Sequence, residues 1–255
     1  MSRTVGIVVP AFRPDVAKLR RYATAISERL DPDTLVVELD APRERVPSQL
    51  ADLPADIETV PYRRGKGAAI TAGFERLETD VLVFADADGS TPVASLEAVV
   101  DRVTAGEANL SVGSRRHPDA DVASHQTFAR RFLGDGFAWL AGTLLTVSLY
   151  DYQCGAKAID ADSWERVRAH LYEPGFAWDV ELVAIAGAFD LRVVETPIRW
   201  EDQPGSTVSP VRDSVALFKA LLAARHRAKQ LSDDRLHTAI AAHRETPTAL
   251  VERER

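Results

Sequence analysis

The sequence predicts an α/β fold with a mainly parallel central sheet flanked by helices. Three observations predict it. Short runs rich in Val, Ile and Leu alternate with stretches of helical period along the first half of the chain. Those short runs are apolar at nearly every position, as strands covered on both faces are. The 255 residues, 45% hydrophobic and 27% charged, suit one large globular domain with a substantial core and argue against global disorder.

In chain order, VGIVV at 5–9 is the first strand, and a helix near 14–30 follows. LVVEL at 35–39 and a run around Ile57 to Val60 add two strands, which is βαβ logic. VLVFA at 81–85 is the next strand, then a helix from about Pro92, then the strand LSVGS at 110–114. From 124 to 149 the pattern turns helical. Ala158 to Leu171 and Ala177 to Ala188 read as two further helices, and LRVVETPIRW at 191–200 as a late strand. Residues 211–230 place Val215, Phe218, Leu221 and Leu222 at helical spacing beside Lys219, Arg225, Arg227 and Lys229. This helix either packs on the core with a solvated basic end or lies on an anionic membrane surface. One domain over 1–230 and a polar, frayed tail over 231–255 complete the expected organisation.

Composition narrows the function classes. A net charge of −7 gives no support to nucleic-acid binding, which draws on a basic surplus. A single cysteine, Cys154, forms no internal disulfide and is too few for a cysteine-built zinc site. The expected compartment is therefore the reducing cytoplasm. No apolar run reaches the roughly 18 to 20 residues of a membrane span, so any membrane contact is expected to be peripheral.

Two segments carry the sharpest chemistry. VLVFADADGS ends an apolar strand in Asp86 and Asp88, at the carboxyl edge where open α/β sheets bind ligands. Two carboxylates so close either sit in a solvated turn or share a hard divalent cation, Mg2+ or Mn2+, that also takes diphosphate oxygens. RRGKGAAITAGFERL runs a basic, glycine-containing loop into a helix, a start that attracts phosphate or is a plain glycine turn. Ile70 occupies the third glycine position of GxGxxG, and no GxxxxGK[ST] occurs, which disfavours a dinucleotide fold and a P-loop.

Taken in order, VVPAF, Asp40, GKGAA, DAD, VGSR, DYQCG and WDVEL resemble glycosyltransferase family 2, whose fold is the GT-A nucleotide-sugar-binding fold. Over about residues 5–227 the pattern resembles the branch that loads a sugar onto a polyprenyl phosphate. DADGST, DYQCGAK and FAWDVEL resemble dolichyl-phosphate β-glucosyltransferases more than dolichol-phosphate mannose synthases. The resemblance implies that Pro10, Ala11, Asp40, Lys66 and Gly67 line the donor, and that Asp86 and Asp88, with Ser90 a further ligand, hold the metal and diphosphate. It implies that Gly205 and Ser206 lie in a loop over the diphosphate. Arg115, Arg130 and Arg131 are the implied clamp for the acceptor phosphate, a task suited to the guanidinium fork. Asp151 and Gln153 are implied near the reacting sugar, and Asp179 and Glu181 on the acceptor side or in catalysis; Cys154 is read as packing.

The implied reaction is an inverting transfer from a nucleotide sugar, UDP-glucose favoured, to a polyprenyl or dolichyl phosphate at a membrane surface. A hydroxyl acceptor would instead require Asp179 or Glu181 as base. A sugar-phosphate nucleotidyltransferase and a non-catalytic nucleotide-sugar binder are the other classes. VVPAFRP replaces the glycine-rich first loop of the former, and the retained carboxylates and arginines argue against the latter.

Overall fold

The computed structural model describes residues 3–122, 128–201, 210–232 and 247–253, with the backbone alone described within 128–134 and 210–214. The first half follows βαβ order: β1 (Val5–Phe12), α1 (Val16–Leu30), β2 (Thr34–Asp40), the short α2 (Val46–Leu50), β3 (Asp56–Val60), α3 (Lys66–Phe74), β4 (Val81–Ala85), α4 (Val93–Thr104) and β5 (Leu110–Ser114). The second half holds β6 (Asp121–Val122), α5 (Phe128–Leu144), β7 (Ala156–Asp160), α6 (Ala161–Val167), α7 (Trp178–Ala188), β8 (Val193–Pro197), β9 (Arg199–Trp200) and α8 (Pro210–Leu231).

Seven strands form one sheet in the order β3-β2-β1-β4-β7-β5-β8, and β6 pairs with β9 in a small second sheet. Within the large sheet only β7 runs antiparallel to its neighbours β4 and β5, so the expected mainly parallel sheet is present. Side chains alternate between faces along each strand. Ile7, Val9, Val81, Val83 and Ala85 face one core with α1 and α4, while Val8, Leu82 and Phe84 face another with α3, α6 and α7. Phe84 meets Trp178 edge to face at 5.6 Å, and Phe74 meets Trp164 at 5.0 Å.

Caps explain where the helices start. Asp15 accepts from Lys18 N at 3.0 Å and opens α1, and Asp160 accepts from Ser163 N at 2.8 Å and opens α6. The second cap corrects the expected helix from Ala158 to Leu171. Residues 156–160 are a strand because they fill the gap between β4 and β5, and Asp160 turns that strand into a helix without a loop. Helix α7 is buried from Trp178 to Gly187, as a helix apolar on nearly all sides must be. Helix α8 lies along it through Leu221, Ala224 and Ala228, close to Ala184.

The expected frayed tail is also corrected in part. Leu250 is buried and its N–H donates to Leu171 O at 2.8 Å, while Arg253 Nη2 donates to Tyr172 O at 2.8 Å. Two buried apolar side chains, Ala249 and Leu250, and two hydrogen bonds dock the 247–253 segment on the corner before α7.

Candidate active site

The strand order reverses between β1 and β4, and the carboxyl ends of β1, β2, β4 and β5 meet there. Asp86 follows β4 directly, its N–H donating to Gly155 O at 2.8 Å. Asp88 is exposed, and its Oδ1 accepts from Ser90 N at 2.9 Å. Tyr22 lies beneath this turn, donating to Thr91 O at 2.8 Å; burial first, then Asp86 and Asp88, push its hydroxyl far above the usual range. A side chain at Gly155 would collide with the Asp86 carboxylate, so glycine is required where β7 begins.

Lys66, the first residue of α3, places its Nζ 2.9 Å from Asp86 Oδ1 and 3.1 Å from Asp179 Oδ2. Asp179 Oδ1 takes a second ammonium, Lys157 Nζ, at 2.5 Å, and Lys157 also donates to Cys154 O at 2.8 Å. Both lysines lie over the Phe84 ring, at 5.1 and 5.4 Å. Burial works against the Lys66 charge, and Asp179 and Asp86 override it, so the ammonium is held well above its ordinary value.

On the far side, Arg115 forks onto Asp151, with Nε 2.7 Å from Oδ2 and Nη2 3.0 Å from Oδ1. Burial opposes the Arg115 charge, Asp151 outweighs it, and Asp86 is near enough to add to the upward shift. Burial likewise pushes the Asp151 carboxyl up, and Arg115 more than offsets this, leaving it below its ordinary value. Glu195 holds the turn from beneath, accepting from Tyr150 N at 2.9 Å and Asp151 N at 2.8 Å.

Several residues singled out in the sequence therefore gather at this edge: Asp86, Asp88, Lys66, Arg115, Asp151, Gln153 and Asp179. Gln153 donates its N–H to Asp151 Oδ1 at 3.1 Å and is half-buried. Asp151 is buried as the counter-ion of Arg115. That pairing engages two of the three guanidinium nitrogens of the expected phosphate clamp, while Nη1 makes no hydrogen bond among the described residues.

Other singled-out residues sit in structural contacts. Asp40 does not face an open pocket: it is buried and accepts from Arg64 N at 2.7 Å, Gly65 N at 3.0 Å and Arg64 Nε at 2.7 Å. It fixes the loop that delivers Lys66, helped by Glu38, which binds Arg64 and Arg76. Gly65 in that loop has φ +102° and lies against the Pro174 carbonyl, where a side chain has neither the conformation nor the space. Ala11 is buried in the core and offers the edge only its backbone, whereas Pro10 is half-buried. Gly67 packs beneath Trp178. Ser90 is buried, and its carbonyl accepts from Glu201 N at 2.9 Å.

Glu181 departs furthest from expectation. It is buried, its Oε2 accepts from Tyr172 N and Glu173 N at 2.8 Å each, and its Oε1 pairs with Arg227 of α8. Burial raises its carboxyl above the ordinary value despite Arg227. It ties α7 to α8 and to the 172–173 loop. Cys154 is a buried thiol pushed up to about 12 by burial, in keeping with packing. The side chains of Arg130 and Arg131, and all of Gly205 and Ser206, lie outside the described residues.

Among the described residues no three His, Cys, Asp or Glu gather as a metal cluster, and Asp86 and Asp88 are the two carboxylates that would meet a cation at this edge. This fits a hard divalent ion that completes its shell with diphosphate oxygens and water: Asp88 is exposed and the Asp86 side chain is 40% exposed. A separate cavity of about 380 Å³ opens beside the ends of β1 and β2, lined by Arg13, Arg43, Arg45 and Gln49 among others; neither Asp86 nor Asp88 lines it.

The sequence model of Glycosyl transferase family 2 matches residues 7–140, from β1 into α5 and across the Asp86 turn. The chain belongs to this family. Glycosyltransferase AglD of Haloferax volcanii is 28% identical over 228 residues, covering 86% of this chain and 36% of that protein. The dolichyl-phosphate β-glucosyltransferase of Homo sapiens is 29% identical over 174 residues, covering 66% of this chain and 54% of that protein. The Saccharomyces cerevisiae protein of the same name is 28% identical over 173 residues, 64% of this chain and 52% of that protein. The chain thus spans about half the length of these two relatives and about a third of AglD. Among solved structures, Mycobacterium tuberculosis glucosyl-3-phosphoglycerate synthase with Mn2+, UDP and glucosyl-3-phosphoglycerate superposes with a TM-score of 0.67. Its identity is 16%, with 87% of this chain and 80% of that chain covered, and this likeness establishes the shared GT-A fold.

Proposed function

We propose that this family 2 member transfers a hexose, glucose from UDP-glucose favoured, to the phosphate of a dolichyl or other polyprenyl phosphate, with inversion at the anomeric carbon. The carrying observation is the Asp86 and Asp88 pair, open at the carboxyl edge of β4, with Lys66 bound to Asp86 on one side and Arg115 close on the other. The relatives named dolichyl-phosphate β-glucosyltransferase support the choice of acceptor and sugar.

In this reading an acceptor phosphate oxygen attacks the anomeric carbon while the bond from that carbon to the diphosphate oxygen breaks, and the nucleoside diphosphate leaves with the electron pair. Asp86 and Asp88 would hold a divalent cation, Mg2+ or Mn2+, which would supply positive charge against the leaving diphosphate. In the same reading Lys66 binds diphosphate oxygens, and Arg115, whose Nη1 makes no hydrogen bond among the described residues, orients the acceptor phosphate. A phosphate monoester has its second pKa near ~6, so the nucleophile is already ionised at neutral pH and needs no strong base. Positioning is then the main catalytic task.

A polyprenyl acceptor resides in a bilayer, so the site has to meet a membrane surface. Trp139 of α5 is 73% exposed, and Val215, Phe218 and Leu222 are exposed on α8 with Lys219 among them. Apolar and cationic side chains in this arrangement suit the interfacial zone. No helix among the described residues is long and apolar enough to cross a membrane. We propose peripheral attachment through these exposed side chains, on the cytoplasmic face. Flotation with anionic liposomes tests this: wild type rises with the vesicles and Phe218→Glu/Leu222→Glu does not. Equal flotation of the two, or none by either, overturns it.

The reaction is tested by incubating the protein with Mn2+, dolichyl phosphate and a panel of radiolabelled UDP- and GDP-sugars, then counting label in the organic phase. UDP-glucose is expected to label the lipid. No lipid label from any donor contradicts the assignment.

A further inference from the structure

Asp179 sits in the first turn of α7, where a family 2 enzyme with a hydroxyl acceptor would look for its base, but its surroundings are those of a counter-ion. The residue is 1% exposed. Each carboxylate oxygen already holds an ammonium group, Lys157 on Oδ1 and Lys66 on Oδ2. A general base must reach the proton that it removes, and no substrate hydroxyl reaches a carboxylate enclosed in this way.

Lys157 explains why the enclosure exists. It is buried in the strand between β4 and β5, between Phe84 and the Cys154 carbonyl, and has no role toward solvent. Two lysines and two aspartates form a charge-balanced chain, Lys157–Asp179–Lys66–Asp86, that ends at the solvent-exposed Asp86. The outer link can exchange, because Asp86 is a candidate cation ligand. The inner link is sealed in the core.

We propose that Lys157 and Asp179 form a permanent buried ion pair that holds Lys66 in reach of the donor diphosphate, which makes both of them positioning residues and Asp179 not the base. The proposal deepens the glycosyltransferase reading and rests on it. When Asp86 turns to a cation, Lys66 keeps one anchor, Asp179, whose charge Lys157 has already half satisfied. Without Lys157 the whole of that buried negative charge falls on Lys66 and draws it away from the diphosphate. Without Asp179 the two ammonium groups are left with no carboxylate between them.

The test is a double-variant cycle of Lys157→Met and Asp179→Asn, with UDP or GDP binding in Mn2+ measured by calorimetry alongside turnover, donor and acceptor KM, and thermal melting. Lys157→Met is expected to weaken nucleotide binding and raise donor KM by about ten-fold while acceptor KM stays put. In the double variant the Asn oxygen still accepts from Lys66 and neither an ammonium nor a carboxylate is left unbalanced, so nucleotide affinity returns to within about three-fold of wild type and turnover to at least about ten-fold above Asp179→Asn. If Asp179→Asn does not fold, nucleotide binding by Lys157→Met and the double variant decides.

Equal inactivity of Asp179→Asn and the double variant, with nucleotide affinity unmoved throughout, identifies Asp179 as a base and overturns the proposal. An equal rise in donor and acceptor KM overturns the positioning role. A wild type that binds neither nucleotide overturns the glycosyltransferase reading and this proposal together, whereas a wild type that turns over beside an unrescued double variant overturns only the latter.

Discussion

Asp179 and Glu181 stand two residues apart on α7, both buried and both ion-paired, yet they serve different regions. Asp179 faces the sheet edge, where its partners are lysines of α3 and β7 and the chain of charge ends in solvent at Asp86. Glu181 faces α8 and the 172–173 loop, where its partners are Arg227 and two backbone N–H groups. One region orders a binding edge and the other joins helices. The difference follows from helical geometry, because residues two apart do not share a face.

The comparison is sharpened most by Asp88→Asn, at the open end of the edge network. Asn retains the oxygen that caps Ser90 N and loses the charge. Sugar transfer should fall by about 10² to 10³-fold, the range for removing one group that stabilises developing charge, with Tm unchanged. Label counting and calorimetry on one preparation check both halves. A comparable Tm loss would show that the turn, rather than the charge, matters.

The joint region should respond in the opposite sense. Arg227→Met leaves the buried Glu181 carboxylate without its cation and should cost about 1 to 3 kcal/mol of stability in urea unfolding. Turnover per folded molecule should hold. Lost turnover at full stability would dissolve the distinction between the two regions.

A smaller effect separates two buried carboxylates by pH. Glu181 has its folded value raised above 4.5, so its contribution is fully present below that value and is lost as pH rises through the folded value. The stability cost of Glu181→Gln therefore shrinks as pH rises above about 4.5. Asp151 has its folded value lowered below 3.8, so its contribution is present above 3.8 and is lost as pH falls through the folded value. The cost of Asp151→Asn therefore grows as pH climbs toward 3.8 and then levels off. Melting curves from pH 3 to 7 should show the two variants diverging in this way.

The smallest effect belongs to the surface. Arg20 forks onto Asp52 at 2.5 and 2.7 Å and holds its carboxyl down to about 2, but both groups are in solvent. Asp52→Asn should leave Tm and transfer unmoved, since exposed pairs of this kind rarely contribute measurably.

Much of the fold was legible because β1, β2, β4 and β5 are apolar runs in a βαβ rhythm, which short-range pattern captures well. Strand β7 was not, because Ala-Lys-Ala-Ile-Asp has no β-branched majority and leads straight into a helix. Its neighbours β4 and β5, far away in sequence, make it a strand. Lys157 closes the DYQCGAK motif, but the motif alone assigns it no partner. A lysine between two alanines in a run with small apolar neighbours is the signal of a buried charge in search of a carboxylate, and Asp179 is the one. Asp86, Asp88, Lys66 and Arg115 were legible as motif residues, but their partners were not. The pairing of Asp40 with Arg64 and of Arg115 with Asp151 depends on loops that only the folded sheet brings together.

On the function proposed above, the Asp86 edge serves an acceptor that brings its own ionised oxygen. The direct measurement is transfer from UDP-glucose in Mn2+ to dolichyl phosphate beside dolichol, in matched vesicles. Label is expected on dolichyl phosphate, and none above the Asp88→Asn background on dolichol. Equal or greater label on dolichol would contradict it, because a hydroxyl acceptor needs the available base that Asp179, held between two lysines, does not provide.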